Sequence, residues 1–335
     1  MRVAVYHGGQ SAITIDEVAT PQPGPEDVLV EVGFCGICGS DVSMTSGAGW
    51  DYEPGTHLGH EYCGTVVELG SRVQGLRTGD LVTCVPNGFC GACQACRDGR
   101  LLSCRNGKPQ MGGMGGYVAV RDASAVRLSG MVGLDEAALV EPLACARHGL
   151  DAGNVCGGDH VLVVGAGPLA LAVIHNAVLR GARKIGVLSR SARGRDLALQ
   201  FGASYFLSEE YDGPEAAQRI LADLPDVVVE CAGAPGLLAR SAELVRPAGT
   251  VVSMGMCGSA EPLLPILCTF KELKMVFPLG YSLADFEATI REFDQGAVDP
   301  ASMVKRVIGL DALPAALASM REGGNEGKIL IDPRM

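Results

Sequence analysis

An α/β chain of two domains, one β-rich and one built on a doubly wound parallel sheet, is what this sequence predicts. Three observations carry that reading. Short apolar or alternating runs, separated by Gly, Pro and Asp turn signals, fill the first 150 residues. From residue 160 to about 280, apolar strands alternate with helical stretches, the pattern of right-handed βαβ units on a parallel sheet. A length of 335 residues suffices for about two domains, each with its own core.

The elements follow in order. Met1–Tyr6 reads as a strand and not as an export signal, since no apolar segment or cleavage site follows it. Val28–Val32, Gly64–Leu69, Leu81–Val85 and Gly116–Val120 are predicted strands, and Pro21–Pro25 is a turn-rich connector before the third. From about Glu136 the pattern turns helical. Strands are then predicted at Val161–Val164, Lys184–Leu188, Val227–Glu230 and Thr250–Met254, with helices at Leu169–Arg180, Arg193–Phe201 and Gly236–Val245. Two more helices, Asp285–Gln295 and Leu313–Glu322, precede a last strand at Lys328–Ile331.

Composition narrows the function. No apolar run reaches the ~18 residues of a membrane helix. Thirteen cysteines without an export signal argue for a reducing cytoplasm, and an odd count excludes a fully paired disulfide framework. With 27 basic against 38 acidic residues the formal charge is −11. That surplus speaks against nucleic acid as a partner and for a small-molecule enzyme.

Cys90, Cys93, Cys96 and Cys104 stand at two short, equal steps and one longer one, among glycines. Four thiolates so spaced can wrap one tetrahedral zinc, with no position left for substrate. Gly165-Ala-Gly167-Pro168-Leu169-Ala170 follows an apolar strand and opens a helix. This is the dinucleotide fingerprint: a tight turn, a close backbone approach to pyrophosphate, and a small residue where helix meets strand. The next strand ends in Ser189-Arg190-Ser191, with Arg193 and Arg195 nearby, where NAD sites carry an acid. A hydroxyl beside guanidinium groups suits a 2′-phosphate, so NADP is expected over NAD. Cys231 and Met254, at the ends of two later strands, complete the expected cofactor contacts.

A second metal site is expected from Cys38, in Gly-Ile-Cys38-Gly-Ser40-Asp41, with Gly59-His60-Glu61 and Glu141-Pro-Leu-Ala-Cys145. Cys, His and carboxylate from separate segments are the donors catalytic zinc uses.

These segments, the four-cysteine lobe and the nucleotide motif occur in the order of the zinc-dependent medium-chain dehydrogenase/reductase family. The chain resembles that family over nearly its whole length, and most the sorbitol and threonine dehydrogenase branches. The resemblance implies a GroES-like catalytic domain, residues 1–148 with 282–335, and an inserted Rossmann domain, 149–281. It implies zinc ligation by Cys38 and His60, with Glu61 ligating or standing just behind. Glu141 matches the acidic ligand of polyol-type members, and Cys145 falls near a thiolate ligand of simple alcohol dehydrogenases. Glu141 is favoured, with Cys145 lining the pocket. Asp41 is expected to hold the His60 ring, and Ser40 to begin a proton relay. Ser43 stands where many relatives carry a relay histidine, and Gly280 where many carry an arginine. Trp50, in the loop Thr45–Tyr52, is a candidate pocket wall.

The function implied is hydride transfer between a nicotinamide and a secondary alcohol, such as a polyol, cyclitol or amino-alcohol, by a homo-oligomer (dimer or tetramer). The rivals are a metal-independent alkene or quinone reductase of the same fold, and a non-catalytic zinc-stabilised nucleotide-binding protein.

Overall fold

A computed structural model describes residues 1–9, 13–47, 50–129, 132–208, 223–296, 300–323 and 327–335. They form two compact units, Met1–Ala144 with Gly280–Met335, and Cys145–Leu279.

The first unit is built around one long strand, Asp27–Gly36. Antiparallel to it run Glu61–Leu69, Tyr117–Arg121 and the last strand, Lys328–Ile331. Leu81–Cys84, Ala125–Arg127 and Val304–Ile308 complete a seven-stranded sheet. A smaller sheet pairs Arg2–Tyr6 with Ile13–Glu17 and Thr56–His57. Val28, Val30, Val32, Val66, Val82 and Leu58 are fully or almost fully buried between them. Alternating β-branched residues put one face of each strand into this core, as the pleat requires.

Register positions the chemistry. Gly36 pairs with Glu61, and two bulges on the way bend the long strand. Cys38, two residues beyond Gly36, and His60, one before Glu61, therefore emerge at the same end of the sheet. Gly36 has to be glycine, because a Cβ there would overlap the Glu61 carboxylate.

The second unit is a six-stranded parallel sheet. Its order is Tyr205–Ser208, Lys184–Ser189, His160–Val164, Val227–Glu230, Thr250–Ser253, Lys274–Val276. Every residue of His160–Val164 is buried, as expected of a strand covered on both faces. Strand order reverses between this strand and Val227–Glu230, the switch point at which such sheets bind ligands.

The units part at Ala144/Cys145 and Leu279/Gly280, against expected boundaries after 148 and 281. Val140–Ala152 is a single helix running through the first boundary. Tyr281 stacks edge-on against Phe286, 4.7 Å between ring centroids, and so belongs with the helix Leu283–Asp294. The sequence reading passed over Tyr205–Ser208, Lys274–Val276 and Val304–Ile308. They are short, and Lys305 and Arg306 interrupt the last of them. Among the described residues no helix is long and apolar enough to cross a membrane.

Candidate active site

Cys38 caps the short helix Gly39–Ser43, and its backbone N–H donates to Asp41 Oδ2 at 2.9 Å. Asp41 is fully buried, and its Oδ1 lies 3.3 Å from His60 Nδ1. With Nδ1–H donating to that carboxylate, the lone pair of Nε2 is left for a metal. Ligand atoms of Cys38, His60 and Glu61 all lie within 4.8 Å of one another. Burial works against a charged His60 ring, but Asp41 and Cys38 outweigh it and pull its pKa well above the usual value. Thiolate, imidazole and carboxylate are the donors a zinc dication takes, and their spacing here fits one.

Glu61 is already engaged, since Lys328 Nζ donates to both its oxygens and to the Ile37 carbonyl at 3.1 Å. Glu141, in the first turn of Val140–Ala152, lies outside the compact donor set but within its field. Burial, reinforced by Glu61, pushes its carboxyl up to about 7, against the opposing pull of His60, Lys328 and a hydrogen bond from Tyr281.

The Ser40 hydroxyl lies 3.5 Å from His60 Nε2. Ser43 is exposed, and its hydroxyl donates to the Gly39 carbonyl at 3.2 Å. Tyr52 stands beside Asp41 and Ser40. Its hydroxyl donates to Asp41 Oδ1 at 3.3 Å and is hydrogen-bonded to Ser40. Trp50 is 72% exposed. Ala48 and Gly49 of the same loop lie outside the described residues. Tyr52, Tyr281 and Lys328 were all missed by sequence reasoning. Only Lys328 left a signal there, as a lysine opening an apolar strand.

In the four-cysteine lobe, Cys93 Sγ lies 3.5 Å from Cys96 Sγ and 3.9 Å from Cys104 Sγ, and Cys90 and Cys96 are 4.0 Å apart. A zinc tetrahedron with Zn–S of about 2.3 Å has edges of about 3.8 Å, so the four thiols fit that ion. Backbone N–H groups of Ala92 and Cys93 bring the Cys90 thiol down to about 6.

In the second unit, Gly165 takes φ +115° and turns the chain, its N–H donating to the Leu188 carbonyl at 2.8 Å. Gly167 caps the helix Pro168–Leu179 and has no heavy atom within 4 Å of where a Cβ would stand. That open approach to a twelve-residue helix N-terminus fits a pyrophosphate. Ser189 ends the neighbouring strand, followed by exposed Arg190 and Arg193. Gly194 folds this segment back to within close contact of Ala166. Glu230 Oε1 accepts from the N–H groups of Ala232 and Gly233 at 2.7 and 2.8 Å, shaping the loop that faces Gly165. Cys231 is within electrostatic reach of Cys145, in the same unit, and Met254 packs against Gly149.

Comparison with known proteins agrees with this architecture. Residues 24–130 match the alcohol dehydrogenase GroES-like domain, and residues 168–295 the zinc-binding dehydrogenase domain. "Probable D-xylulose reductase A" of Arthroderma otae is 31% identical over 89% of this chain and 87% of its own length. L-Threonine 3-dehydrogenase of Burkholderia thailandensis is 27% identical over 96% of this chain and 95% of its own. A zinc-binding dehydrogenase from Sinorhizobium meliloti 1021, solved bound to NADP, superposes with a TM-score of 0.87 at 30% identity, covering 99% of both chains. The chain belongs to the zinc-dependent medium-chain dehydrogenase/reductase family, in its sorbitol- and threonine-dehydrogenase-like branch. It is a nicotinamide-dependent alcohol dehydrogenase.

Proposed function

We propose that the protein interconverts a secondary alcohol and its ketone with NADP(H), on a substrate carrying a second polar group, as a polyol, cyclitol or amino-alcohol does. The observation that carries this is the convergence of Cys38, His60 and Glu61 at one sheet end, with Asp41 holding the imidazole for ligation. When bound, zinc supplies Lewis acidity toward a hydroxyl and the nicotinamide supplies a two-electron acceptor.

The chain's own residues divide the remaining work. Cys38 Sγ and His60 Nε2 hold the metal. Lys328 neutralises Glu61 and keeps it behind the ligands, which leaves Glu141 as the acidic ligand or near-ligand in our reading. Ser40 would take the substrate's hydroxyl proton as its own passes to Tyr52, whose hydroxyl proton moves on to the Asp41 carboxylate. The Ser40–Tyr52 hydrogen bond supports this route, whereas Ser43 is committed to its own helix. Ser40, Tyr52 and Glu141 also offer a second substrate hydroxyl or amine its partners. The four thiols of the lobe hold a structural zinc.

Two supports favour NADP over NAD. One is the acid-free Ser189-Arg190 segment with Arg193, and the other is the similar structure bound to NADP. A homo-oligomer is supported by Phe270, Phe277 and Leu279, exposed by 81%, 65% and 62% around the sheet's edge strand Lys274–Val276. Thirteen cysteines, an odd number that cannot all pair within the chain, support a reducing, cytoplasmic setting.

The test is zinc content of the purified protein alongside NADPH and NADH binding by fluorescence, followed by a polyol and ketone screen. Two zincs per chain, tighter NADPH binding and turnover of a polyol are expected. One zinc, kept by Cys38→Ser and lost by Cys93→Ser, would replace this reading with the metal-independent alkene or quinone reductase.

A further inference from the structure

Tyr281 belongs to neither set of candidate metal donors, yet its hydroxyl is hydrogen-bonded to the Glu141 carboxylate. The side chain is 2% exposed, and its ring is held edge-on by Phe286. The backbone on either side of it is clamped by the four-cysteine lobe. Gly280 is left-handed at φ +65°, and a Cβ there would overlap Leu102 Cδ1. Gly99 is left-handed at φ +74°, and a Cβ there would stand 3.2 Å from Ser282 Cβ. Leu102 and Gly99 both lie between the lobe's third and fourth cysteines. On its other side Ser282 is fixed by a reciprocal cap, its N–H donating to Asp285 Oδ2 at 2.7 Å while its Oγ accepts from Asp285 N at 3.2 Å.

We propose that Tyr281 is a positioning residue of the active site, setting the Glu141 carboxylate through its hydroxyl, and that the four-cysteine lobe sets Tyr281 through Leu102 and Gly99. The inference rests on the dehydrogenase reading of the Cys38–His60 site. A tyrosine needed only for packing would lose little as phenylalanine. One whose buried hydroxyl orients a carboxylate cannot be so replaced, because the acid regains its rotamers and loses its donor. The lobe then does more than stabilise its own loop, since it holds the backbone that aims a residue at the chemistry. The absence of a side chain at Gly280 has the same explanation: Leu102 occupies that space.

Tyr281→Phe is expected to keep two zincs per chain and its melting temperature, while kcat falls about tenfold or more and KM changes less. Adding Glu141→Gln to Tyr281→Phe should cost little beyond Glu141→Gln alone, the non-additivity of two groups acting as one. Leu102→Ala, with all four thiols intact, should speed amide exchange across residues 279–286 about tenfold in the holoenzyme. Kinetics of Tyr281→Phe equal to wild type, or losses that multiply independently in the double variant, would overturn the role of Tyr281. Unchanged exchange in Leu102→Ala would overturn the role of the lobe. Wild-type protein that turns over no alcohol would strike the dehydrogenase reading instead, and the exchange result does not depend on turnover.

Discussion

Lys328 Nζ donates to Glu61 Oε1 and Oε2 at 2.7 and 2.6 Å, and neither side chain is more than 2% exposed. Burial alone would depress the lysine pKa, but Glu61 more than offsets it and the value is raised. Two charges so deep are tolerated only together. Lys328→Met should therefore destabilise the first unit by about 3–5 kcal/mol, read from urea unfolding, and a second change, Glu61→Gln, should restore most of the loss. A loss below about 1 kcal/mol would show that Glu61 has another cation to turn to, a bound metal included.

The two metal sites should separate by mutation. Cys38→Ser is expected to leave one zinc per chain and to abolish turnover with an unchanged melt. Cys93→Ser should also leave one zinc, but with a lower melting temperature, since a closed four-thiolate site contributes folding energy directly. Elemental analysis and calorimetry on both variants decide it. Full activity in Cys38→Ser would remove the catalytic assignment.

Arg190→Ala and Arg193→Ala should weaken NADPH binding by about tenfold each while leaving NADH within about twofold, because only the 2′-phosphate addresses the guanidinium groups. Fluorescence titration of both cofactors reads the difference. An equal loss for the two cofactors would place these arginines elsewhere in the site.

His175 is 5% exposed on the helix Pro168–Leu179, and burial, with Arg147 nearby, pushes its pKa down to about 4. The unfolded chain, with an ordinary histidine near 6.5, takes up the proton first as pH falls. Stability from this group is whole above about pH 6.5 and is lost progressively down to about pH 4, by about 3 kcal/mol in all. His175→Leu should flatten that part of the stability–pH curve. A variant curve parallel to wild type would refute it.

Legibility differed between fold and site. The strand–turn–helix of Gly165–Ala170 and the spacing of Cys90 to Cys104 are local patterns, and periodicity and spacing are all they require. Cys38, Asp41 and His60 were nameable because each stands in a compact segment with recognisable neighbours. Lys328 was not, because its partner lies 267 residues away and only strand pairing brings them together. Tyr52 and Tyr281 look like ordinary aromatics in loop sequence, and only their hydroxyl partners mark them. Ser43 was nameable by position alone, and the structure adds that its hydroxyl donates to the Gly39 carbonyl.

By itself the sequence determined the two-unit α/β plan, the thiol set of the lobe and the cradle at Gly165 and Gly167. These depend on side-chain period and on backbone freedom within a few residues. Only the tertiary structure brought a buried cation to Glu61. The Gly36–Glu61 register and the antiparallel last strand put Lys328 onto Glu61. The lobe's contacts around Gly280 and Ser282 hold Tyr281 beside Glu141. Contacts between residues so distant in sequence follow from packing and register, which no local pattern encodes.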